Sequence, residues 1–140
     1  MIALAVFLPI ISDMSGSAGN QSVAVSIREL TLGLIKPGEF MRVFLKELGV
    51  GLLNGLSVGL ILGVIAFLWK HNVYFGLVVG GALALNTVVS VCLGGIIPLV
   101  LKFFRQDPAL SASLILTTVT DMCGFFFALF FAKQMLPFIN

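Results

Sequence analysis

Asp121 sits in the run Leu114-Ile115-Leu116-Thr117-Thr118-Val119-Thr120-Asp121-Met122-Cys123-Gly124, about halfway along the otherwise apolar stretch Ala109–Ala132. An acid at the centre of a helix of this kind costs roughly 2.5–3.5 kcal/mol on membrane-insertion scales, so it needs a partner. No Lys or Arg lies at matching depth in any other long apolar stretch, which removes the simplest intrachain ion pair. Three readings stay open: a protonated acid donating a hydrogen bond, a proton relay, or a carboxylate facing water and a cation. Thr117 is four residues before Asp121 and Thr118 three before, so both share its helix face. With Thr120 and Gly124 they form a candidate polar lining on an apolar helix.

A second polar surface comes from Ser12-Asp13-Met14-Ser15-Gly16-Ser17-Ala18-Gly19-Asn20-Gln21-Ser22. Gly16 and Gly19 can expose backbone carbonyls, while Ser17, Asn20 and Gln21 offer neutral oxygens without adding charge. An all-oxygen lining suits hard divalent cations, and Mg2+ in particular keeps several waters and takes few carboxylates. One Asp per chain fits a largely hydrated Mg2+. The other reading is that these small polar residues only pack helices together, and the residue chemistry leaves the two level. Asp13 lies nearer the outer mouth, where it can attract cations, although simple solvation is the stronger reading.

The elements that must position these residues are membrane-length. Of the 140 residues, 59% are hydrophobic and 10% charged, against roughly 25% charged in an ordinary soluble domain. An apolar bilayer core of about 30 Å takes roughly 20 helical residues, and Leu48–Trp69, Val73–Leu101 and Ala109–Ala132 are each long enough. Met1–Ile11 is too short alone but continues through the polar run into Val23–Ile27 as one long helix. The expected architecture is an all-α integral membrane bundle of four spans, over residues 1–34, 43–69, 73–101 and 108–135, with the first and last lining a pathway.

Met1–Ile11 has no Lys or Arg, so it is not read as a secretory signal. The abrupt apolar start suggests a segment supplied upstream. Arg28, Lys36, Arg42, Lys46, Lys102 and Arg105 fall on one side of the bundle and only Lys70 and Lys133 on the other, which puts the six-charge side in the cytoplasm and both termini outside. The net charge of +2 and the lack of a basic tract interleaved with aromatics give no reason to expect nucleic acid. Trp69 and Tyr74 flank the Lys70-His71-Asn72 loop at headgroup level, and His71 reads as an exposed loop residue.

Gly51, Gly55, Gly59 and Gly63 recur every fourth residue. This stripe lets another helix approach closely, either in a dimer seam or within the chain. Asn86 is read as a hydrogen bond to a neighbouring helix, and Cys92 and Cys123 as packing residues. Pro37-Gly38 marks a turn. Glu39–Glu47 is expected as a short amphipathic helix on the cytoplasmic surface that leads into the second span, its charges solvated. Asp107-Pro108 supplies an N-cap with proline at the first helical position.

In that order and spacing, Gly16-Ser17-Ala18-Gly19-Asn20-Gln21-Ser22, Ile27-Arg28-Glu29-Leu30, Arg42–Gly51, Asp107-Pro108-Ala109 and Thr117–Asp121 resemble the transmembrane domain of the MgtE magnesium channels. The resemblance covers nearly the whole chain. It implies a homodimer with five spans per subunit in the cell (inner) membrane, whose second and fifth spans line a central pore. Those spans map onto the first segment and the Asp107–Lys133 helix here, so the first span of the family domain is absent. Asp121 matches the pore aspartate and Thr117 a position contributing a backbone carbonyl. Gly16, Gly19 and Asn20 fall on the other pore-lining stretch. The family often has glycine and asparagine where this chain has Ser15 and Ser17. The resemblance also implies a cytosolic Mg2+-sensing region, on this chain's missing part or on another chain.

These readings converge on passive conduction of Mg2+, the hydrated ion held between two copies of Asp121. The rivals are a proton- or cation-coupled transporter of divalent metals and a non-conducting membrane scaffold. Enzymatic activity is not expected, because Asp121 has no second catalytic carboxylate, HExxH helix or nucleophile–base pair beside it.

Overall fold

The computed structural model describes residues 2–36 and 38–139, without the side chains of 108–110, 138 and 139. Four helices follow one another: α1 (Ile2–Thr31), α2 (Phe40–Lys70), α3 (Val73–Phe103) and α4 (Pro108–Ile139). Each has 30 to 32 residues. At 1.5 Å per residue that is about 45 Å, longer than the roughly 30 Å hydrocarbon core. All four carry a window apolar enough to cross a membrane. The fold is an all-α membrane bundle, with no strand among the described residues. The first segment is a single helix through its polar run.

α3 is the hub. It packs against α1, α2 and α4, α1 also packs against α4, and α2 meets the bundle chiefly through α3. The largest apolar cluster joins all four helices, with Phe7 and Ile11 of α1, Leu62 of α2, Leu83 of α3 and Ala128 of α4 among its buried members. Phe7 lies 5.5 Å from the Trp69 ring and 5.7 Å from that of Phe75.

The glycine stripe of α2 seats on α3 of the same chain. A Cβ at Gly55 would come within 2.6 Å of the Ala84 carbonyl oxygen, and one at Gly59 within 2.7 Å of that of Gly80. Gly51 faces the Val88 backbone at 3.1 Å and Gly63 the Gly76 oxygen at 3.1 Å. Gly76 and Gly80 answer from α3, so the two backbones touch where neither carries a side chain. Of the two readings of the stripe, the structure shows the intrachain contact.

The loops match most of the local chemistry. Asn72 caps α3, its side-chain oxygen accepting from the backbone N–H groups of Tyr74 at 2.9 Å and Phe75 at 3.2 Å. His71 is exposed in the left-handed region at φ 53°, closing α2. α4 begins at Pro108, directly after Asp107. The turn expected at Pro37-Gly38 and the Met1 end of the first segment lie partly outside the described residues.

One expectation fails in part. Glu39–Glu47 leads into the second span, since α2 runs unbroken from Phe40, but its charges are not all solvated: Glu47 is only 4% exposed. Glu47 is four residues before Gly51 and lies on the glycine face, which is buried against α3.

Candidate functional site

On α4 every fourth residue from Ala112 to Ala132 is buried: Ala112, Leu116, Thr120, Gly124, Ala128 and Ala132. That face packs into the bundle. Thr117, Asp121 and Phe125 lie one residue further on, about 100° round the helix, and turn toward α1. There they meet Ser12, Asp13, Gly16, Ser17 and Asn20 across a cavity of about 370 Å3, which Pro9 also lines.

Asp121 is half-buried, and the Ser12 hydroxyl donates a hydrogen bond to its Oδ1. The ion pairs among the described residues are Arg42–Glu39, Lys46–Glu29 and Lys46–Glu47, so none neutralises Asp121. Ser113 donates to Asn20 Oδ1 at 2.8 Å, tying α1 to α4 at the next turn of the lining. No group of three or more His, Cys, Asp or Glu side chains among the described residues is placed to hold a metal ion. Asp121 and the exposed Asp13 stand there among neutral oxygens, a donor set for an ion that keeps its waters, not for a stripped one.

Of the residues singled out in the sequence, Gly16, Ser17, Asn20, Thr117 and Asp121 come together here. The others lie elsewhere. Thr118 is exposed and donates to the Leu114 carbonyl of its own helix at 3.0 Å. Thr120 is fully buried and 3.2 Å from the Ser90 hydroxyl. Gly124 is also buried, and a Cβ there would meet Asn86 Nδ2 at 2.8 Å. Gly19 is pressed against Ser90 and Leu116, where any side chain would collide. Gln21 faces α2, in a cavity with Glu47 and Asn54.

A seam of hydrogen bonds sets the two lining helices against α3. Ser90 donates to the Ser15 carbonyl at 2.7 Å, Asn86 donates to the Thr120 carbonyl at 3.3 Å, and Ser15 and Thr87 share a bond at 3.4 Å. Ser22 and Ser26 donate to the carbonyls of Val91 and Gly95 at 2.9 and 2.6 Å. Asn86 thus bonds a neighbouring helix, as its place in the sequence suggested. Glu47 is the buried group that sequence reasoning missed; its spacing of four from Gly51 was the available signal.

The fold and its acid-bearing cavity define a polytopic helical membrane protein with a polar lining between its first and last helices. Residues 8–131 match the sequence model of the MgtE family, described as a divalent cation transporter, and the chain belongs to that family. It is similar to the magnesium transporter MgtE of Enterococcus faecalis, 34% identical over 85% of this chain and 26% of that protein. The counterpart in Bacillus subtilis is 30% identical over 87% of this chain and 27% of the relative. That of Thermus thermophilus is 34% identical over 96% and 30%. The chain therefore spans between about a quarter and a third of the length of these relatives.

Proposed function

We propose that this chain is the pore-forming part of a Mg2+ transporter and that the hydrated ion passes the Asp121 cavity. The observation that carries the reading is an acid in mid-span with no basic partner, held by a serine hydroxyl and facing a cavity whose other polar groups are neutral oxygens and the carboxylate of Asp13. Membership of a divalent cation transporter family, with relatives named as magnesium transporters, supports the choice of ion.

In this mechanism two copies of the chain pair across a two-fold axis, so that two Asp121 carboxylates face one pathway. Each acid is costly alone, and the cation offsets their repulsion. Asn20, Ser17 and the Gly16 and Thr117 backbones serve the hydration shell. Ser12 keeps one carboxylate oxygen oriented, leaving the other free for ion-bound water.

The test is Mg2+ uptake into vesicles containing the wild type or Asp121→Asn. The expected result is a fall of about tenfold or more, equivalent to 1.4 kcal/mol of lost ion stabilisation. Undiminished uptake by the variant would overturn the reading.

A further inference from the structure

Ser15, Asn86, Thr87, Ser90 and Thr120 are each at most 1% exposed, and none of them lines the Asp121 cavity. Ser15 and Thr120 directly precede Gly16 and Asp121, so they stand about 100° round from the lining on α1 and α4. Both are held twice by α3. Thr120 is bonded at its carbonyl by Asn86 at 3.3 Å and at its hydroxyl by Ser90 at 3.2 Å. Ser15 is bonded at its carbonyl by Ser90 at 2.7 Å and at its hydroxyl by Thr87 at 3.4 Å.

Ser90 bonds both lining helices, and the direction of its bonds is fixed. A carbonyl only accepts, so the single Ser90 proton goes to the Ser15 oxygen and the Thr120 hydroxyl must donate to Ser90 Oγ. A directed chain of hydrogen bonds thus runs from α4 through α3 to α1. Gly19, one turn beyond Ser15, lies so close to Ser90 Oγ that an added Cβ would collide with it, which closes the packing at the same point. The direct ties between α1 and α4, Ser12 to Asp121 and Ser113 to Asn20, lie at less buried positions, where water and an ion's hydration shell compete for the same atoms. The α3 bonds are sealed from water, and breaking one leaves a buried polar group unsatisfied, which costs more than the bond itself contributes. The buried seam, rather than the lining, therefore sets how far apart the lining helices stand.

We infer that Ser90 is a positioning residue for ion selection: through Ser15 and Thr120 it fixes the spacing of α1 and α4, and with it the width of the cavity beside Asp121. The inference rests on the reading of that cavity as the ion pathway. What such a spacing discriminates follows from the ions themselves. Mg2+ holds its oxygens at about 2.0–2.1 Å in a near-octahedral shell, and Ca2+ holds more of them at about 2.3–2.6 Å in a looser one. The difference is a few tenths of an ångström per ligand, which a fixed wall refuses and a wall free to shift admits. Close-packed interiors resist displacements of that size.

The experiment measures Mg2+ and Ca2+ uptake by the full chain in proteoliposomes, each ion read by an internal dye, with thermal unfolding in detergent alongside. Ser90→Ala removes the central hydroxyl, and Thr120→Val removes its donor while keeping the side-chain shape. Each should raise the ratio of Ca2+ to Mg2+ uptake about fivefold, the scale of one buried hydrogen bond. Thr120→Ser keeps the hydroxyl and should stay near the wild-type ratio. Ser26→Ala is the control for stability alone: Ser26 donates to the Gly95 carbonyl at 2.6 Å, a buried bond of the same kind between α1 and α3 but beyond the lining. It should lower the unfolding temperature comparably and leave the ratio unchanged. An unchanged ratio in folded Thr120→Val overturns the role, even where Ser90→Ala does not fold. An equal shift of the ratio in Ser26→Ala also overturns it, since lost stability then accounts for the effect. Failure of the transport reading itself shows separately, in Asp121→Asn leaving Mg2+ uptake unchanged.

Discussion

At the scale of single residues, the contact that matters most for Asp121 is Ser12, nearly the whole chain away in sequence and on the other lining helix. A hydroxyl donating to a carboxylate is worth about 1.5–3 kcal/mol where both are shielded, and the half-buried setting puts the effect at the lower end. Ser12→Ala is therefore expected to raise the half-saturating Mg2+ concentration about tenfold, with Ser12→Thr restoring most of it in the same uptake assay. An unchanged half-saturation in Ser12→Ala would mean that the hydroxyl does not orient the acid. Asp121 and Thr117 were legible in the sequence because polarity in an apolar span stands out and a spacing of four keeps them together. Ser12 was legible only as part of a polar run. Nothing in a linear sequence says which of its eleven residues reaches across.

At the scale of elements, the four spans were readable from apolar length, and the loop before α3 from Lys70-His71-Asn72 between Trp69 and Tyr74. What could not be read directly was rotation about each helix axis. In α4, where the hydrophobicity is spread round the whole circumference, Thr120 and Gly124 looked as available as Thr117. They belong instead to the every-fourth series of buried residues that packs into the bundle. Glu47 was misread for a related reason. Charge suggests solvent, yet its register with Gly51, Gly55 and Gly59 places it on the packed face of α2. That face makes a firm stability prediction. Gly59→Leu must push a branched side chain into the Gly80 backbone and the Ala84 methyl, already 2.7 and 2.8 Å from an added Cβ. Overpacking of this kind costs about 1–3 kcal/mol or more where the neighbour is backbone. The variant should unfold several degrees lower in detergent, whereas Leu60→Ala, on the exposed side of the same turn, should stay close to wild type.

At the scale of the whole molecule, the proposed conducting pore and a coupled carrier differ in what drives the ion. Asp121 is paired with a serine rather than with a lysine or arginine able to exchange places with the cargo, and in the proposed pathway a hydrated ion would pass it with no bond made or broken. Transport should then follow the membrane potential alone. Each charge contributes about 2.3 kcal/mol per 100 mV, so a divalent ion gains about 4.6 kcal/mol. At 1.4 kcal/mol per tenfold, that is a limiting accumulation of about three decades. In proteoliposomes with an imposed inside-negative potassium diffusion potential, Mg2+ uptake should rise with the potential and should be indifferent to a pH gradient of either sign. The measurement is initial uptake read by an internal Mg2+ dye, with Asp121→Asn as the reference for leak. If a pH gradient drives uptake at zero potential, the pathway is a proton-coupled carrier, and the half-buried Asp121 is the group on which proton and cation alternate.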